Sequence, residues 1–330
     1  MKEKKLTKTG SMFSLQKILA LGTLVILYVF FSLFGHNFFS VATLVNILDS
    51  SYYIGFLAIG VTFVIITGGI DLSIGTVMMC AALIGGAAYN VWHWPIAAAL
   101  LLIIVVATAF GLFNGLMVAK LKLPPFIATL GTMMVSMGFG AIVSKVMTMR
   151  YPTVTDPDGW FKFVFYKTSG GFPIGAIWLL VFFLIAFITL NNTRLGRYTF
   201  AMGSNEEATR LSGINVDNWK MVVYTISGFF AGLEAIVYAA AYTSIIPSTG
   251  NGIELLAIAG VVIGDTSLSG GIGTLSGTLI GVYIMSILKQ GLMSMNLQGQ
   301  WQTFFTGIVV IGAVLLDNYR NAKANKVIKE

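Results

Sequence analysis

Long apolar segments constrain the fold of this 330-residue chain more than any other feature. An α-helix needs about 20 mostly apolar residues to cross the hydrocarbon core of a bilayer, whereas a membrane β-barrel would show strands of about 10 residues with alternating polarity. Charged residues make up only 10% of the chain, against about 25% in soluble domains. The predicted spans are 18–34, 51–67, 72–90, 95–119, 124–145, 174–191, 218–240, 252–265, 271–289 and 300–317. The sequence therefore predicts an all-α, polytopic transmembrane bundle of about ten spans, with 1–330 as a single domain.

Three of these segments need separate comment. The span 252–265 is short enough to be a half-helix, and the stretch 36–50 is predicted to be an interfacial or re-entrant helix. The first span follows a basic start, but it is long and lacks a small-residue cleavage site. We therefore interpret it as an uncleaved transmembrane helix.

The distribution of Lys and Arg predicts the orientation, because cytosolic loops of membrane proteins are enriched in these residues. With the N-terminus inside, 15 of the 20 basic residues fall on the inner side. Both short tails, 1–17 and 318–330, are then cytosolic. This bias also accounts for the net charge of +7 without a nucleic-acid partner.

Several of the 37 glycines are spaced four residues apart within predicted spans. Such Gly-x-x-x-Gly pairs let helix backbones approach closely in a bilayer. We interpret them as packing surfaces. The pairs are Gly111 with Gly115, Gly228 with Gly232, and the triplet Gly273, Gly277 and Gly281.

The sequence contains few residues that are suited to catalysis or to cofactor binding. Cys80 is the only cysteine, and His36 and His93 are the only histidines, so a Cys/His metal site is not expected. There is no Gly-x-x-x-x-Gly-Lys phosphate-binding loop. We predict no enzyme activity, no metal and no cofactor, and any ATP must be hydrolysed by another chain.

A glycine-rich break separates the second and third spans. Broken helices at membrane depth are tolerated only where they are buried in protein or line a water-filled cavity, and an intramembrane Asp is a functional candidate. Asp71 or Ser73 could cap the next helix, or Asp71 could contact the substrate. The candidate pathway residues here are Gly68, Gly69, Asp71, Ser73 and Gly75.

A second break, before the ninth span, resembles the first. Leu72–Thr76 and Leu268–Gly271 share the Leu-Ser pair, with Gly and Asp nearby. Paired interruptions of this kind indicate an internal repeat whose broken helices flank the passage, although chance similarity between Gly/Ser-rich turns is the alternative. The candidate pathway residues here are Asp265, Ser269, Gly270 and Gly271.

The segment 192–217 is a long polar stretch on the predicted cytosolic side. Ser204 or Asn205 can cap a short helix with acidic residues in its first turn, and Gly213 can end it. A simple connector could be much shorter, so we predict a docking loop in which small residues face the partner within a polar rim. Its candidate residues are Gly203, Asn205, Glu206, Glu207, Ala208, Ser212, Gly213 and Ile214.

Glu234 is the main ionisable residue inside a predicted span. It could hydrogen-bond a neighbouring helix, take part in gating, or lie near the outer interface. With Asp71 it also supplies the best candidates for ion coupling, so an ion-coupled secondary transporter of a small polar solute is the alternative function.

Four stretches in this order resemble one family over nearly the whole chain: Ile65–Gly75, Pro124–Met133, Ala201–Val216 and Leu268–Thr274. They are similar to the ribose/galactose-type permeases of bacterial ATP-binding-cassette sugar importers. The loop departs from the family pattern at Ser204, where a second Gly is frequent, and at Thr209, where Ala is usual.

The resemblance implies a multi-pass permease of the bacterial inner membrane that forms the passage for a monosaccharide. It implies three protein partners: a cytosolic ATPase, an extracytoplasmic sugar-binding protein, and a second permease copy in a homo- or heterodimer. The sequence does not identify the sugar.

Overall fold

The computed structural model describes residues 3–168, 170–247 and 249–329, with side chains for 18–312 apart from 169 and 248, and for 314 and 315. The side chains of both predicted cytosolic tails therefore lie outside the described residues. The helices are α1 (Glu3–Phe34), α2 (Val41–Ile66), α3 (Ile74–Asn90), α4 (Ile96–Ala119), α5 (Pro125–Val143), α6 (Trp160–Phe165), α7 (Ile174–Asn192), α8 (Arg194–Ser204), α9 (Glu206–Leu211), α10 (Val216–Tyr242), α11 (Ile253–Ile263), α12 (Leu275–Ser294) and α13 (Gly299–Lys329). Two short strands, β1 (Met149–Arg150) and β2 (Ser244–Ile245), pair antiparallel. The predicted all-α class is confirmed.

Every predicted span coincides with a helix or part of one. Among the described residues, six helices are long and apolar enough to cross a membrane, namely α2, α4, α5, α7, α10 and α12. Residues 18–34 of α1, together with α3 and α11, form shorter apolar helices. At about 1.5 Å per residue, the 11 residues of α11 extend only about 16 Å, as expected for a half-helix. Ten complete crossings remain a prediction.

The interfacial helix predicted over 36–50 is wrong. Residues from Val41 onward are the first turns of α2, which continues without interruption to Ile66. The Ser40 hydroxyl accepts a hydrogen bond of 3.2 Å from the Thr43 amide and caps this helix. Because 18 residues of α2 are buried, it is the central helix of the bundle and cannot lie along a membrane surface.

Helices α4 and α10 pack backbone to backbone through the predicted glycine pairs. A Cβ atom placed on Gly111 would lie 2.8 Å from the Cα of Gly228, and one placed on Gly115 would lie 2.8 Å from the Cα of Met221. A real side chain would force the helices apart. The packing role predicted for these glycines is confirmed.

Helices α11 and α12 form a second close pair. A Cβ atom on Gly277 would clash with the carbonyl of Gly264, and one on Gly281 would clash with the carbonyl of Gly260. Gly273 differs from the prediction, since it precedes α12 and packs against Thr266 and Ile66 instead. The half-helix α11 is thus held against the bundle by backbone contact.

The two ends of the bundle differ in composition. The α9 end carries α8 and α9, the last residues of α2 and the loop 264–274. The opposite α6 end carries α6, the β1–β2 ribbon and the first turns of α2. Lys162 of α6 donates a hydrogen bond of 2.8 Å to the Ala240 carbonyl, and the Tyr151 hydroxyl donates one of 2.6 Å to the Ala82 carbonyl. These bonds fix the α6-end loop on the helices.

Candidate functional site

Both glycine-rich breaks meet the polar segment at one point of the α9 end. The Gly271 amide donates a hydrogen bond of 2.8 Å to the carbonyl of Ile66, the last residue of α2. Gly203 of α8 touches the same place, because a Cβ atom on it would clash with the Ile66 carbonyl and the Gly271 amide. We call this contact of Ile66, Gly203 and Gly271 the junction. The sequence singled out the glycines of all three segments but did not predict that the segments touch.

The junction depends on glycine for two physical reasons. Gly68, Gly270 and Gly271 have φ angles of +76°, +83° and +75°, a region that residues with a Cβ atom adopt only at a cost. In addition, a Cβ atom on Gly270 would lie 2.8 Å from the Gly68 amide nitrogen. The three chain segments are therefore held in direct backbone contact.

The short helix predicted in the polar segment is confirmed as α9. The Asn205 side chain, rather than Ser204, accepts a hydrogen bond of 2.9 Å from the Ala208 amide. Gly213 follows the helix with φ +81°, the usual left-handed ending. Because both ends are capped, six residues form a defined helix although such a short helix is marginal in isolation.

The outer face of α9 is exposed and carries one large apolar side chain. Glu207, Ala208, Ser212 and Gly213 are exposed, and Ile214 is half-buried. Leu211 is 90% exposed, the highest value among the exposed large hydrophobic residues described. The sequence does not predict Leu211 as a docking residue. A lone Leu in a polar helix does not by itself indicate whether it faces the bundle or the solvent.

The charges of α9 are mostly engaged in ion pairs within the chain, and the polar rim around the docking face stays a prediction. Glu206 pairs with Lys220 at 2.5 Å and with Arg210 at 3.4 Å, and Arg210 pairs with Asp217 at 2.9 Å. Asp217 also pairs with Lys122 at 2.7 Å. Only Glu207 of the acidic pair lacks an ion pair among the described side chains. The network ties α9 to α10 and to the loop after α4.

The ion pairs affect the titration of Glu206. Partial burial raises the pKa of its carboxyl group, but the charges and hydrogen bonds of Lys220 and Arg210 outweigh this and hold the pKa below its ordinary value. Glu206 therefore stays ionised at neutral pH, and its ion pairs anchor α9.

Asp71 is fully enclosed and does not cap α3. Its Oδ1 accepts hydrogen bonds from the Ser73 amide at 3.0 Å, the Ser73 hydroxyl at 2.7 Å and the Asn114 amide group at 3.4 Å. Its Oδ2 accepts from the Ser227 hydroxyl at 2.9 Å. Ser73 precedes α3, but its side chain makes no capping bond to the first turn. The capping prediction is wrong, because these donors from α4 and α10 occupy the carboxylate.

The Asp71 cluster is a closed polar contact in this conformation. The space beside Asp71 and Asn114 does not admit a water molecule, and the Asn114 side chain donates a further 2.8 Å bond to the Ser73 hydroxyl. Buried polar groups that are hydrogen-bonded in this way make the surrounding helices rigid. The cluster joins the α2–α3 break to α4 and α10.

The remaining predicted pathway residues lie around the two breaks. Gly69 packs on the Tyr224 hydroxyl, and Gly75 lies against Gly250 and Glu254. Asp265 has φ +75° just after α11, and Ser269 is exposed beside Gly68. The breaks thus lie side by side at the α9 end. The internal repeat itself stays a prediction.

A cavity of about 290 Å³ opens at the α6 end, and the sequence analysis did not find it. Its lining is Asn46, Asp49, Ser50, Tyr53, Tyr166, Ala241, Tyr242, Lys289, Gln290 and Met293. These residues come from α2, α10, α12 and the loop after α6. No local motif could have predicted their proximity, because four separate chain segments contribute.

Glu234 of α10 is fully buried, and both of its carboxylate oxygens lack a hydrogen-bond partner among the described residues. The alternative in which it hydrogen-bonds a neighbouring helix is therefore wrong, and its place relative to the outer interface stays a prediction. Its carboxylate interacts electrostatically with Tyr53, Tyr238 and Tyr242. A gating role remains open.

Residues 43–314 match the profile of the family described as "Branched-chain amino acid transport system / permease component". The chain is 39% identical over 307 residues to the ribose import permease protein of Escherichia coli, covering 89% of this chain and 91% of that protein. It is 32% identical over 288 residues to the fructose import permease protein of Rhizobium meliloti, covering 86% and 80%. It is 30% identical over 316 residues to the autoinducer 2 import system permease protein of Yersinia pseudotuberculosis, covering 94% and 87%.

These matches agree with the architecture. The six long apolar helices fit a multi-pass membrane protein, and the profile covers nearly all of the helical bundle. The chain therefore belongs to the permease-component family of branched-chain amino acid transport systems.

Proposed function

We propose that this chain is the membrane-spanning subunit of an ATP-binding-cassette importer that moves a monosaccharide inward. One observation carries the proposal: α9 is capped at both ends, exposes Leu211, and is joined through the junction to the end of α2. The similarity to permeases named for ribose and fructose import supports a sugar as cargo.

The exposed face of α9 is suited to docking a cytosolic ATPase. A large apolar side chain that enters a pocket of the partner is the usual centre of a protein interface. Around Leu211 the small residues Ala208, Ser212 and Gly213 allow a close approach. The ion pairs of Glu206 and Arg210 hold the helix in place before docking, so little conformational entropy is lost on binding.

The junction connects the docking helix α9 to the membrane-spanning helices. Gly203 leaves no space between α8 and the Ile66 carbonyl, and Gly271 bonds to the same carbonyl. A displacement of α8 and α9 would move the ends of α2 and the 264–274 loop together. Packed backbones of this kind transmit small shifts, because close-packed interiors have little room to deform.

The other partners follow from the same arrangement. The α6 end, with its open cavity, is the side that would receive the sugar from an extracytoplasmic binding protein. The α9 end and both termini would then be cytosolic, in line with the distribution of basic residues. A second permease copy completes the passage, and the apolar surfaces of α4, α5 and α7 face that copy or lipid.

Reconstitution tests the function directly. Liposomes containing the permease, its ATPase and its binding protein should take up ribose or fructose only when ATP is supplied. Uptake driven by a proton or sodium gradient without the ATPase would instead establish the secondary-transporter alternative.

A single substitution tests the docking surface. Leu211→Ser should abolish pull-down of the ATPase and leave folding unchanged, because the side chain makes almost no contact within the chain. Leu121→Ser is the matched control, since Leu121 is 68% exposed and near the same end but lies outside α8 and α9. Normal pull-down and uptake by Leu211→Ser would show that α9 is only a connector.

A further inference from the structure

We propose that the cavity at the α6 end is a binding site for one neutral sugar ring, so that the permease itself holds its cargo before passage. The inference rests on the proposed function and deepens it. It assigns ligand recognition to this chain. A permease without such a site would leave recognition of the sugar entirely to the binding protein. The cavity, the chemistry of its lining and the buried Glu234 below it carry the argument.

The polar side chains of the lining suit the hydroxyl groups around a sugar ring. Asn46, Ser50 and Gln290 offer uncharged donors and acceptors, and the Gln290 amide already donates 2.7 Å to the Ser50 hydroxyl. Sugar hydroxyls both donate and accept, so they suit groups of this kind. Such a mixed lining favours a ligand with several adjacent hydroxyls over a purely apolar one.

The charges of the lining disfavour a ligand with an ammonium group. Asp49 and Lys289 are the two charged residues of the lining. Asp49 is already occupied by an ion pair with Lys167 and a 3.0 Å hydrogen bond from the Tyr52 hydroxyl. Desolvation lowers the pKa of Lys167, but Asp49 and Tyr166 outweigh it and raise the pKa above its ordinary value. The ammonium group of an amino acid would have to displace Lys167, so a sugar fits better than a zwitterion.

Aromatic rings in the lining provide an apolar surface on which a sugar ring can pack. Tyr53 and Tyr242 have ring centroids 5.5 Å apart, and Tyr166 lines the same cavity. A sugar ring presents an apolar C–H face that packs on aromatic rings, while tyrosine hydroxyls remain available for hydrogen bonds. The volume of 290 Å³ is near the lower limit of ligand pockets, about 300–1,000 Å³. It therefore accommodates one ring.

Glu234 offers the sugar a second position, deeper in the bundle than the cavity. The rings of Tyr53, Tyr238 and Tyr242 pack together, with centroids 4.4 to 5.9 Å apart. Glu234 precedes Tyr242 by eight residues on α10, or about 12 Å along the helix axis. Buried carboxylate oxygens without a partner are rare, and a sugar that passes the tyrosines would supply the missing donors. The cavity is thus the first position on a path, and Glu234 is the next.

Saturation-transfer NMR on the full-length permease in nanodiscs, without ATPase or binding protein, tests the site. The probes are D-ribose, D-fructose, L-leucine and tetrahydropyran, a ring without hydroxyls. We expect saturation transfer to at least one of the two sugars and to neither of the other probes. Gln290→Ala should raise the Kd about threefold to tenfold, the effect of one lost hydrogen bond.

Matched control variants show whether a change in the Kd is specific to the cavity residues. Gln298→Ala removes an exposed Gln from the same end of the bundle and should leave the Kd unchanged. Lys145→Gln is the corresponding control for Lys289→Gln, which removes a cavity charge. Size-exclusion profiles of all variants establish that a lost signal is not a lost fold.

The outcomes separate the site from the proposed function. ATP-driven sugar uptake by the complete transporter, without saturation transfer to the permease alone, would overturn the site and leave the function intact. A Kd unchanged by both Gln290→Ala and Lys289→Gln would also overturn it, as would a signal from L-leucine alone. Sugar binding with the expected variant pattern, but no ATP-driven uptake, would support the site and contradict the function.

Discussion

The amide of Gly271 donates a 2.8 Å hydrogen bond to the carbonyl of Ile66, and this bond joins the two breaks of the bundle at the end of its central helix. Ile66 ends α2, which is buried along most of its length. Gly203 packs on the same carbonyl. Gly203 of α8 therefore contacts both breaks at a single backbone position.

Gly203→Ala is expected to damage the junction. The added methyl group would clash with the backbone of Ile66 and Gly271, and backbone atoms cannot rotate away. We expect a loss of about 1–3 kcal/mol of stability, typical of overpacking, together with reduced ATP-driven uptake. Thermal unfolding in detergent and uptake in liposomes measure the two effects. Gly138→Ala is the control, because no atom lies within 4 Å of a Cβ at that position; equal behaviour of the two variants would contradict the junction.

The ion pairs of Glu206 should make α9 sensitive to acid. Because the folded pKa of Glu206 lies below its ordinary value of 4.5, its stabilising contribution is fully present above that value and is lost as the pH falls through the lowered pKa. A partly exposed pair contributes about 0.2–1 kcal/mol. The difference in unfolding temperature between wild type and Glu206→Gln should therefore be constant from pH 6 to 8 and shrink toward pH 4. Glu207→Gln, which removes no ion pair among the described side chains, should show no such trend.

Asp71→Ala is expected to impair folding and transport. It leaves the buried donors of Ser73 and Ser227 without their acceptor, and each orphaned group costs about 1–3 kcal/mol. Asp71→Asn should be milder, since an amide oxygen can still accept and the Ser227 hydroxyl can turn to accept in return. Cys80→Ala, a small truncation of a buried free thiol, should be nearly silent. Expression, unfolding temperature and uptake measure the series, and wild-type values for Asp71→Ala would refute it.

Glu234→Gln should separate stability from transport. Burying an ionisable carboxyl group without a partner costs stability, so the isosteric amide should leave the unfolding temperature unchanged or higher. Uptake should nevertheless fall, because in the proposed path the Glu234 carboxyl group accepts hydrogen bonds from the sugar. A lower unfolding temperature with normal uptake per folded molecule would mean that Glu234 is purely structural.

Both termini and α9 are expected on the cytosolic side. Single cysteines at Lys5, Trp160, Glu207 and Asn325, introduced in a Cys80→Ala background, report the side that each position faces. A membrane-impermeant reagent applied to whole cells should label only the Trp160→Cys variant, since Trp160 is exposed on α6. External labelling of Glu207→Cys would reverse the orientation and place the docking surface outside.

Much of the local structure could be predicted from the sequence. The helical segments follow from apolar runs long enough for a bilayer, and α9 follows from Asn205 and Gly213 at its ends. The close approach of α4 and α10 follows from the spacing of Gly111 and Gly228 with their partners. Each of these depends on residues within a few turns of one another, so local patterns are sufficient.

The errors have a common physical cause. Asp71 was expected to cap α3, but donors from α4 and α10 occupy its oxygens. The first turns of α2 were expected to lie at the interface, but they continue a helix buried by its neighbours. In both cases the competing partner lies far away in the sequence.

By itself, the sequence determined that this chain is a helical membrane bundle and where its helices break, and it predicts which segment docks a partner. The tertiary structure alone decided that Ile66, Gly203 and Gly271 meet, that Leu211 faces outward, and that ten residues from four segments enclose a cavity. Hydropathy identifies the segments that are shielded from water by lipid or by protein. It does not specify which helix lies beside which. Those neighbours are selected by shape and backbone contact between distant segments, and the site is formed from them.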